Sequence, residues 1–322
     1  MNPMDEPETI FAKLESRLGR KLLSRRLSQQ ATYSAGLQHH GEGIFVVEKA
    51  VSIDRLLGFF LKLFFLEGRG RRNCLDLRVV RNPVRHPAIS QDLGGMKILQ
   101  LTDLHIDLLP ELADRVIEYL RSLDYDLVVF TGDYRNSMTE NYYPSLELMG
   151  RILREARAPC FGILGNHDFI EKVPILEEMG MRLLLNEGVG FPDPEGPLWI
   201  GGVDDPHFYR THDLVAAAPP DAFAGFRMLL AHSPEVYAEA ASRFDFMLSG
   251  HTHGGQICLP GGIAVVKNGN CPDALLKGPW EYDAMIGYTS PGTGSCGIAA
   301  RFFCPPEVTL HVLEAGGGEA ER

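Results

Sequence analysis

The sequence has no surplus of positive charge, no close pair of cysteines and no apolar run long enough to cross a bilayer. Its 31 lysines and arginines stand against 42 aspartates and glutamates, a formal charge of -11, which disfavours a dedicated nucleic-acid binder. It excludes no phosphate chemistry, because bound metal ions can supply a local positive field to an acidic protein. The six cysteines, at 74, 160, 258, 271, 296 and 304, contain no CxxC pair, so a zinc knuckle is not indicated and reduced thiols in a cytosolic setting are expected. The start, MNPMDEPETI, lacks the basic and apolar regions of a secretory signal, and export is not expected. GTGS at 292–295 lacks P-loop spacing and implies no ATP.

What is present is a 322-residue chain, 45% hydrophobic, with ample material for a packed core. Charge is divided unevenly. Residues 1–95 hold 15 basic against 10 acidic side chains, and residues 96–322 hold 16 against 32, or +5 and -16. The basic part reads as a helical N-terminal extension. Residues 8–30 place Ile10, Phe11, Leu14, Leu18, Leu22 and Leu23 near one side of a helix. The run LLGFFLKLFFL at 56–66 falls well short of the ~20 residues of a membrane-spanning helix. Two readings of it stay open: a buried helix or oligomer contact, or an interfacial anchor with Arg69, Arg71, Arg72, Arg78, Arg81 and Arg85 meeting an anionic membrane surface.

From residue 96 the texture becomes strand, helix, strand: MKILQLTDLH, then LLPELADRVIEYLRSL, then DLVVFTGD, then ARAPCFGILGNHD. Later strands are FRMLLAHSP, FDFMLSGHTHGG and VTLHVL. The mixture favours an α/β class with two packed β-sheets, although periodicity alone does not fix the strand order. A flexible tail is expected over 314–322, and no internal repeat is evident.

Taken singly, each polar loop has an ordinary explanation as a turn or helix cap. Their shared position, just after apolar strands, points further. The carboxyl ends of strands in α/β sheets are favoured ligand positions. Asp103, His105, Asp133, Asn166, His232, His251 and His253 all lie there. Seven mixed oxygen and nitrogen donors suit a two-metal centre better than one structural zinc.

Together LTDLH, TGD, LGNHD, AHSP and SGHTHGG resemble the ordered motifs of the calcineurin-like metallophosphoesterases. The closing FFCPPEVTLHVL resembles a bacterial branch that includes membrane-associated phosphodiesterases and UDP-2,3-diacylglucosamine pyrophosphatases. The resemblance implies that Asp103, His105 and His253 hold one ion, that Asn166, His232 and His251 hold the other, and that Asp133 bridges them. It implies an α/β four-layer sandwich over 96–313, two packed β-sheets flanked by helices with the metals at one edge, and it places His167 beside the scissile phosphate as a catalytic residue. Asp168 is a catalytic candidate that either orients His167 or caps the following helix; Arg135 either reaches a substrate phosphate or makes a salt bridge. Asn186, Glu187, Asp204 and Asp205 are expected in structural support, and Cys160 and Cys258 are poor candidates for nucleophiles.

The activity implied is hydrolysis of a phosphodiester or diphosphate bond by two divalent metal ions, Mn favoured, with Fe or Zn also fitting. A small-molecule or lipid-linked substrate is expected, with no nucleic acid and no obligate protein partner. The expected location is cytoplasmic, with attachment to the inner face of the cytoplasmic membrane left open. A phosphomonoesterase or protein phosphatase, and a metal-stabilised interaction domain without turnover, are the alternatives.

Overall fold

The computed structural model describes residues 7–34, 56–137 and 141–316; the expected tail lies outside the described residues from 317 onward. Fourteen described strands build two six-stranded sheets and a small hairpin. The first sheet uses β1 (Arg78–Arg85), β2 (Lys97–Leu101), β3 (Leu127–Phe130), β4 (Cys160–Gly162) and β5 (Met181–Leu183). The second uses β6 (Glu187–Phe191), β7 (Leu198–Gly202), β8 (Phe226–Leu230) and β9 (Phe246–Ser249). The hairpin is β10 (Cys258–Leu259) with β11 (Ile263–Ala264). Strands β12 (Gly278–Tyr282) and β13 (Met285–Thr289) complete the second sheet, and β14 (Glu307–Glu314) returns to the first. The orders are β1-β14-β2-β3-β4-β5 and β12-β13-β9-β8-β7-β6.

Burial on both faces explains the near-continuous apolar strands. Successive residues point to opposite sides of a strand, so Ile98, Leu127 and Val129 meet Ile200, Met228, Leu230 and Leu248 between the sheets. Their neighbours Leu99, Val128 and Phe130 pack outward against helices. Helices α1 (Pro7–Leu18), α2 (Arg20–Ser34), α3 (56–63), α4 (Glu67–Cys74), α5 (Leu112–Ser122), α6 (Tyr143–Glu155) and α7 (Val173–Glu178) precede the second sheet in sequence. Val116 of α5 and Met149 of α6 cover the first sheet. Ala217 of α8 (Leu214–Ala217) and Ala240 of α9 (Tyr237–Ala240) cover the outer face of the second. The result is helix, sheet, sheet, helix, as the resemblance of the motifs implies.

Two features of the N-terminal part differ from a continuous helical extension. Gly19, at φ +76°, breaks the helix expected over 8–30 into α1 and α2, a backbone turn that costs glycine little. The arginine-rich 78–85 is a strand that pairs in parallel with β14 at the sheet edge. Its partner is distant in sequence, so local periodicity carries no sign of the pairing. Pro83 is tolerated because the strand is an edge.

Behind the loops a buried polar network joins the sheets. The amide of Asn82 lies 3.0 Å from His311 Nδ1, and His311 Nε2 lies 3.0 Å from Gln100 Oε1. Gln100 Nε2 donates to Thr131 Oγ1 and to the Ser249 carbonyl, each at 3.0 Å. Ser249 ends β9, so this network crosses the interface and satisfies groups that would be costly to bury alone.

Candidate metal centre

Parallel register brings the carboxyl ends of β2, β3 and β4 level in one sheet and of β8 and β9 in the other. The loops leaving β2, β3 and β9 turn sharply. Asp103 (φ +51°), His105 (+40°), Asp133 (+57°), His251 (+68°) and His253 (+51°) all occupy the left-handed region. They are five of the eleven described non-glycine residues to do so. Such backbone costs of order 1–3 kcal/mol per residue and clusters at functional sites. Glycines make room: a Cβ on Gly250 would come 2.2 Å from Asp103 Oδ2, and one on Gly165 2.2 Å from Asp133 Oδ1.

The seven sequence-predicted donors converge in two overlapping groups. In one, His105 Nε2 lies 3.2 Å from His253 Nε2 and 3.5 Å from Asp133 Oδ2, while His253 Nε2 lies 3.4 Å from Asp103 Oδ1. In the other, His232 Nε2 lies 3.2 Å from Asp133 Oδ2, 3.1 Å from Asn166 Oδ1 and 3.3 Å from His251 Nδ1. Asp133 belongs to both.

The hydrogen bonds behind the rings show what these groups fit. His105 Nδ1 sits 2.9 Å from the Arg135 carbonyl and His232 Nδ1 2.7 Å from the Thr131 carbonyl. A carbonyl only accepts, so each Nδ1 carries a proton and each Nε2 is turned inward, a lone pair whenever the ring is neutral. Oxygens and inward ring nitrogens then crowd together, an arrangement a cation resolves. The electrostatics agree. Burial and the neighbouring Asp133 raise Asp103 to about 6, although His232 opposes this. Burial also opposes ionisation of Asp133, yet His232, His167 and His105 outweigh it and hold its carboxyl well below the usual range. Burial works against the charged form of His232, but Asp133 and Asp103 pull the ring up to about 10. Burial lowers His105 to about 4 and takes His251 and His253 well below the ordinary value. Buried carboxylates drawing positive charge, beside imidazoles kept neutral, are what divalent ions require of a site. Asp103, His105, Asp133 and His253 could hold one ion; Asp133, Asn166, His232 and His251 could hold a second.

His167 lies on the open side. Its backbone N–H donates to Asp133 Oδ1 at 2.8 Å, and its Nδ1 is 2.7 Å from the Asn136 carbonyl. The Nε2 faces Cys296 Sγ at 3.7 Å. Asp168 does not reach that ring. Its carboxylate accepts from the backbone N–H of Asp133 (2.7 Å), Gly165 (3.0 Å) and Tyr134 (3.1 Å), and pairs with the buried Lys172 at 2.9 Å. It fastens two ligand-bearing loops together. Arg135, 1% exposed, donates through Nε to the His167 carbonyl at 3.0 Å and lies over the Phe169 ring at 4.1 Å. This position differs from a surface salt bridge and directs that nitrogen to the backbone.

The residues expected in support are found there. Asn186 Oδ1 accepts from Asp204 N and Asp213 N, both at 2.9 Å, and Asp205 accepts from the backbone N–H of 207, 208 and 209. Burial pushes Cys160 up to about 12 and Cys258 up to about 11, which keeps both as thiols. Sequence reasoning passed over Cys296, Arg301 and His207. Arg301 is buried beside His253, with Nη2 3.3 Å from its Nδ1 and bonded to the Pro291 carbonyl at 2.7 Å. His207 packs 4.2 Å from the His251 ring and is anchored on Glu235 at 2.8 Å. None of the three sits in a metal-ligand spacing, so only the folded loops reveal them.

Comparison with known proteins falls on the same segment. Residues 96–255 match the model of the calcineurin-like phosphoesterase family. An uncharacterised metallophosphoesterase of Bacillus subtilis (strain 168), YkoQ, is 29% identical over 257 residues, covering 76% of this chain and 93% of that one. Another, from Aquifex aeolicus (strain VF5), is 28% identical over 69% of this chain and 86% of its own length. A zebrafish (Danio rerio) transmembrane protein with a metallophosphoesterase domain is 26% identical over 70% of this chain and 55% of its own.

Proposed function

From the premise that the chain carries a calcineurin-like metallophosphoesterase domain and is a metal-dependent hydrolase, we propose that it cleaves a phosphodiester or diphosphate bond in a lipid-linked or nucleotide-sugar substrate. The observation that carries the reaction class is the convergence of ring nitrogens and oxygens around Asp133, with the Nδ1 of both flanking rings tied to a backbone carbonyl so that Nε2 faces the shared carboxylate. Two divalent ions bound there would polarise phosphoryl oxygens and lower the pKa of an attacking water. Mn is our choice for activity, and Fe and Zn suit the same mixed donors.

The chain's own residues do the rest. The contact of His167 Nδ1 with the Asn136 carbonyl fixes the ring, and in its doubly protonated form Nε2 hands a proton to the departing oxygen as its bond to phosphorus breaks, while the attacking water gives up a proton to solvent and its oxygen bonds to phosphorus. Asp168 and Arg135 are positioning residues in this reading, one holding the backbone of Asp133 and the other the carbonyl of His167. The exposed apolar run at 56–65 favours an amphiphilic substrate, acted on from the cytoplasmic side.

The test pairs elemental analysis of freshly purified protein with turnover of bis(p-nitrophenyl) phosphate and p-nitrophenyl phosphate after reloading with Mn, Fe or Zn. Two metal equivalents and faster diester turnover are expected. Faster monoester turnover would replace the proposal with a phosphomonoesterase, and a metal-replete protein inert to both substrates and to a diphosphate would leave a binding domain.

A further inference from the structure

Loop 296–304 forms one wall of the site and carries an apolar and basic face on its other side. On the inside, Cys296 Sγ approaches His167 Nε2 at 3.7 Å. Gln256, three residues after His253, clamps the loop by donating to the carbonyls of Cys296 (3.0 Å) and Ile298 (3.1 Å). On the outside, α3 rests on Ile298, whose Cδ1 would lie 3.6 Å from a Cβ on Gly58. Helix α4 rests on Ala300 and Phe302, and the bare Gly70 permits an approach that a Cβ would tighten to 2.7 Å.

Helix α3 is apolar on its exposed side as well as its buried one: Leu61 is buried, whereas Phe59 is 60% exposed, and Phe64 and Phe65, which follow the helix, are 63% and 94% exposed. Across the loop, the β10–β11 hairpin exposes Leu259 and Ile263 next to exposed Phe303. Large apolar side chains exposed in this number mark a binding surface rather than ordinary scatter. Charge identifies the partner: α3 and α4 carry Lys62, Arg69, Arg71 and Arg72 against Glu67 alone, with Arg71 paired to Glu111. Stacking this face on a second copy would set those cations against their own kind, whereas an anionic lipid surface attracts each of them.

We infer that this face docks on an anionic bilayer, with the phenylalanines in the headgroup region and the catalytic mouth beside it. Among the described residues no helix is long and apolar enough to cross a membrane, so α3 lies in the interface. An amphiphilic substrate then presents its phosphate to His167 while its chains remain in lipid. The substrate half of this inference rests on the phosphodiester or diphosphate reading; the docking half rests on the exposed face alone.

The test uses the full chain with sedimentable vesicles of phosphatidylglycerol or phosphatidylcholine, and the variant Phe59→Asp/Phe64→Asp. The wild type should partition to phosphatidylglycerol at least about tenfold more strongly than to phosphatidylcholine, and the variant should lose about tenfold or more of that binding. Its turnover of water-soluble bis(p-nitrophenyl) phosphate should be unchanged. A wild type that stays in the supernatant overturns the inference, as does a variant that binds vesicles equally well. Self-association in sedimentation velocity, abolished by the same substitutions in a protein that ignores vesicles, assigns the face to a second copy instead. Vesicle binding without diester turnover overturns the reaction and leaves docking standing; turnover without vesicle binding does the reverse.

Discussion

At His167 the backbone and the ring face different tasks. The N–H is tied to the Asp133 carboxylate, while the ring is anchored on Asn136 and turned toward the mouth. Truncating the ring to His167→Ala leaves all seven donors in place, so kcat should fall about 10²–10⁴-fold with metal content intact. Removing the carboxylate that both donor groups share, by Asp133→Ala, should lower metal content as well as kcat. Elemental analysis beside single-turnover rates separates the two, and an unchanged metal content in Asp133→Ala would refute the shared role. These residues were legible in sequence because the chemistry demands fixed donor types directly after strands. Arg135 was legible only as an unusual neighbour, since a guanidinium in TGDYRN looks alike whether it meets phosphate or a backbone carbonyl. Asp168 shows the same limit, because the next-door carboxylate of GNHD serves three backbone N–H groups rather than the ring beside it.

At the scale of elements, α2 does more than cover the sheet. Its Arg26, fully buried, lies 2.9 Å from Asp204 Oδ1, donates to the Asp168 carbonyl at 2.7 Å and stacks over the Tyr209 ring at 3.5 Å. The contact with Asp204 is a charge pairing without hydrogen-bond geometry. Arg26→Met strands a buried carboxylate and should cost about 3–5 kcal/mol, part of which Arg26→Met/Asp204→Asn restores. Urea unfolding of the two variants checks this; equal destabilisation in both would mean that packing, not charge, sets the cost. Neighbouring Gln30 accepts from Ile170 N at 2.9 Å and so grips the same loop. The helical pattern of 8–30 was readable, but its contact with the GNHD loop was not. Helical periodicity names an apolar face and says nothing of what a buried arginine on it will meet. Strands β2, β3, β4, β8 and β9 were easier, since each is largely apolar on both sides and runs into a loop that carries a candidate donor.

For the whole molecule, the Asn82, His311 and Gln100 network makes the union of the sheets pH-sensitive. Burial lowers His311 to about 3, so the folded protein holds a neutral ring that the unfolded chain protonates below about 6.5. Stability from this residue is complete above pH 6.5 and declines as pH falls toward 3, because the unfolded state then binds more protons. At about 1.4 kcal/mol per pH unit, the loss should reach roughly 2 kcal/mol by pH 5. His311→Gln keeps polar atoms for Asn82 and Gln100 but cannot titrate. Its unfolding free energy should therefore fall less steeply between pH 7 and 5, and a slope equal to that of the wild type would remove His311 as the cause.

The parallel pairing of β1 with β14 also sets a timetable. Arg85 and Glu314 are separated by 229 residues, and β1 has no other strand partner among the described residues. At the usual pace of synthesis, about 5–20 residues per second, β1 waits roughly 10–45 s for β14 to leave the ribosome. Ala300 and Phe302, the seat of α4, are likewise made long after it. A nascent chain therefore displays its phenylalanines well before it has the wall that joins them to the catalytic mouth.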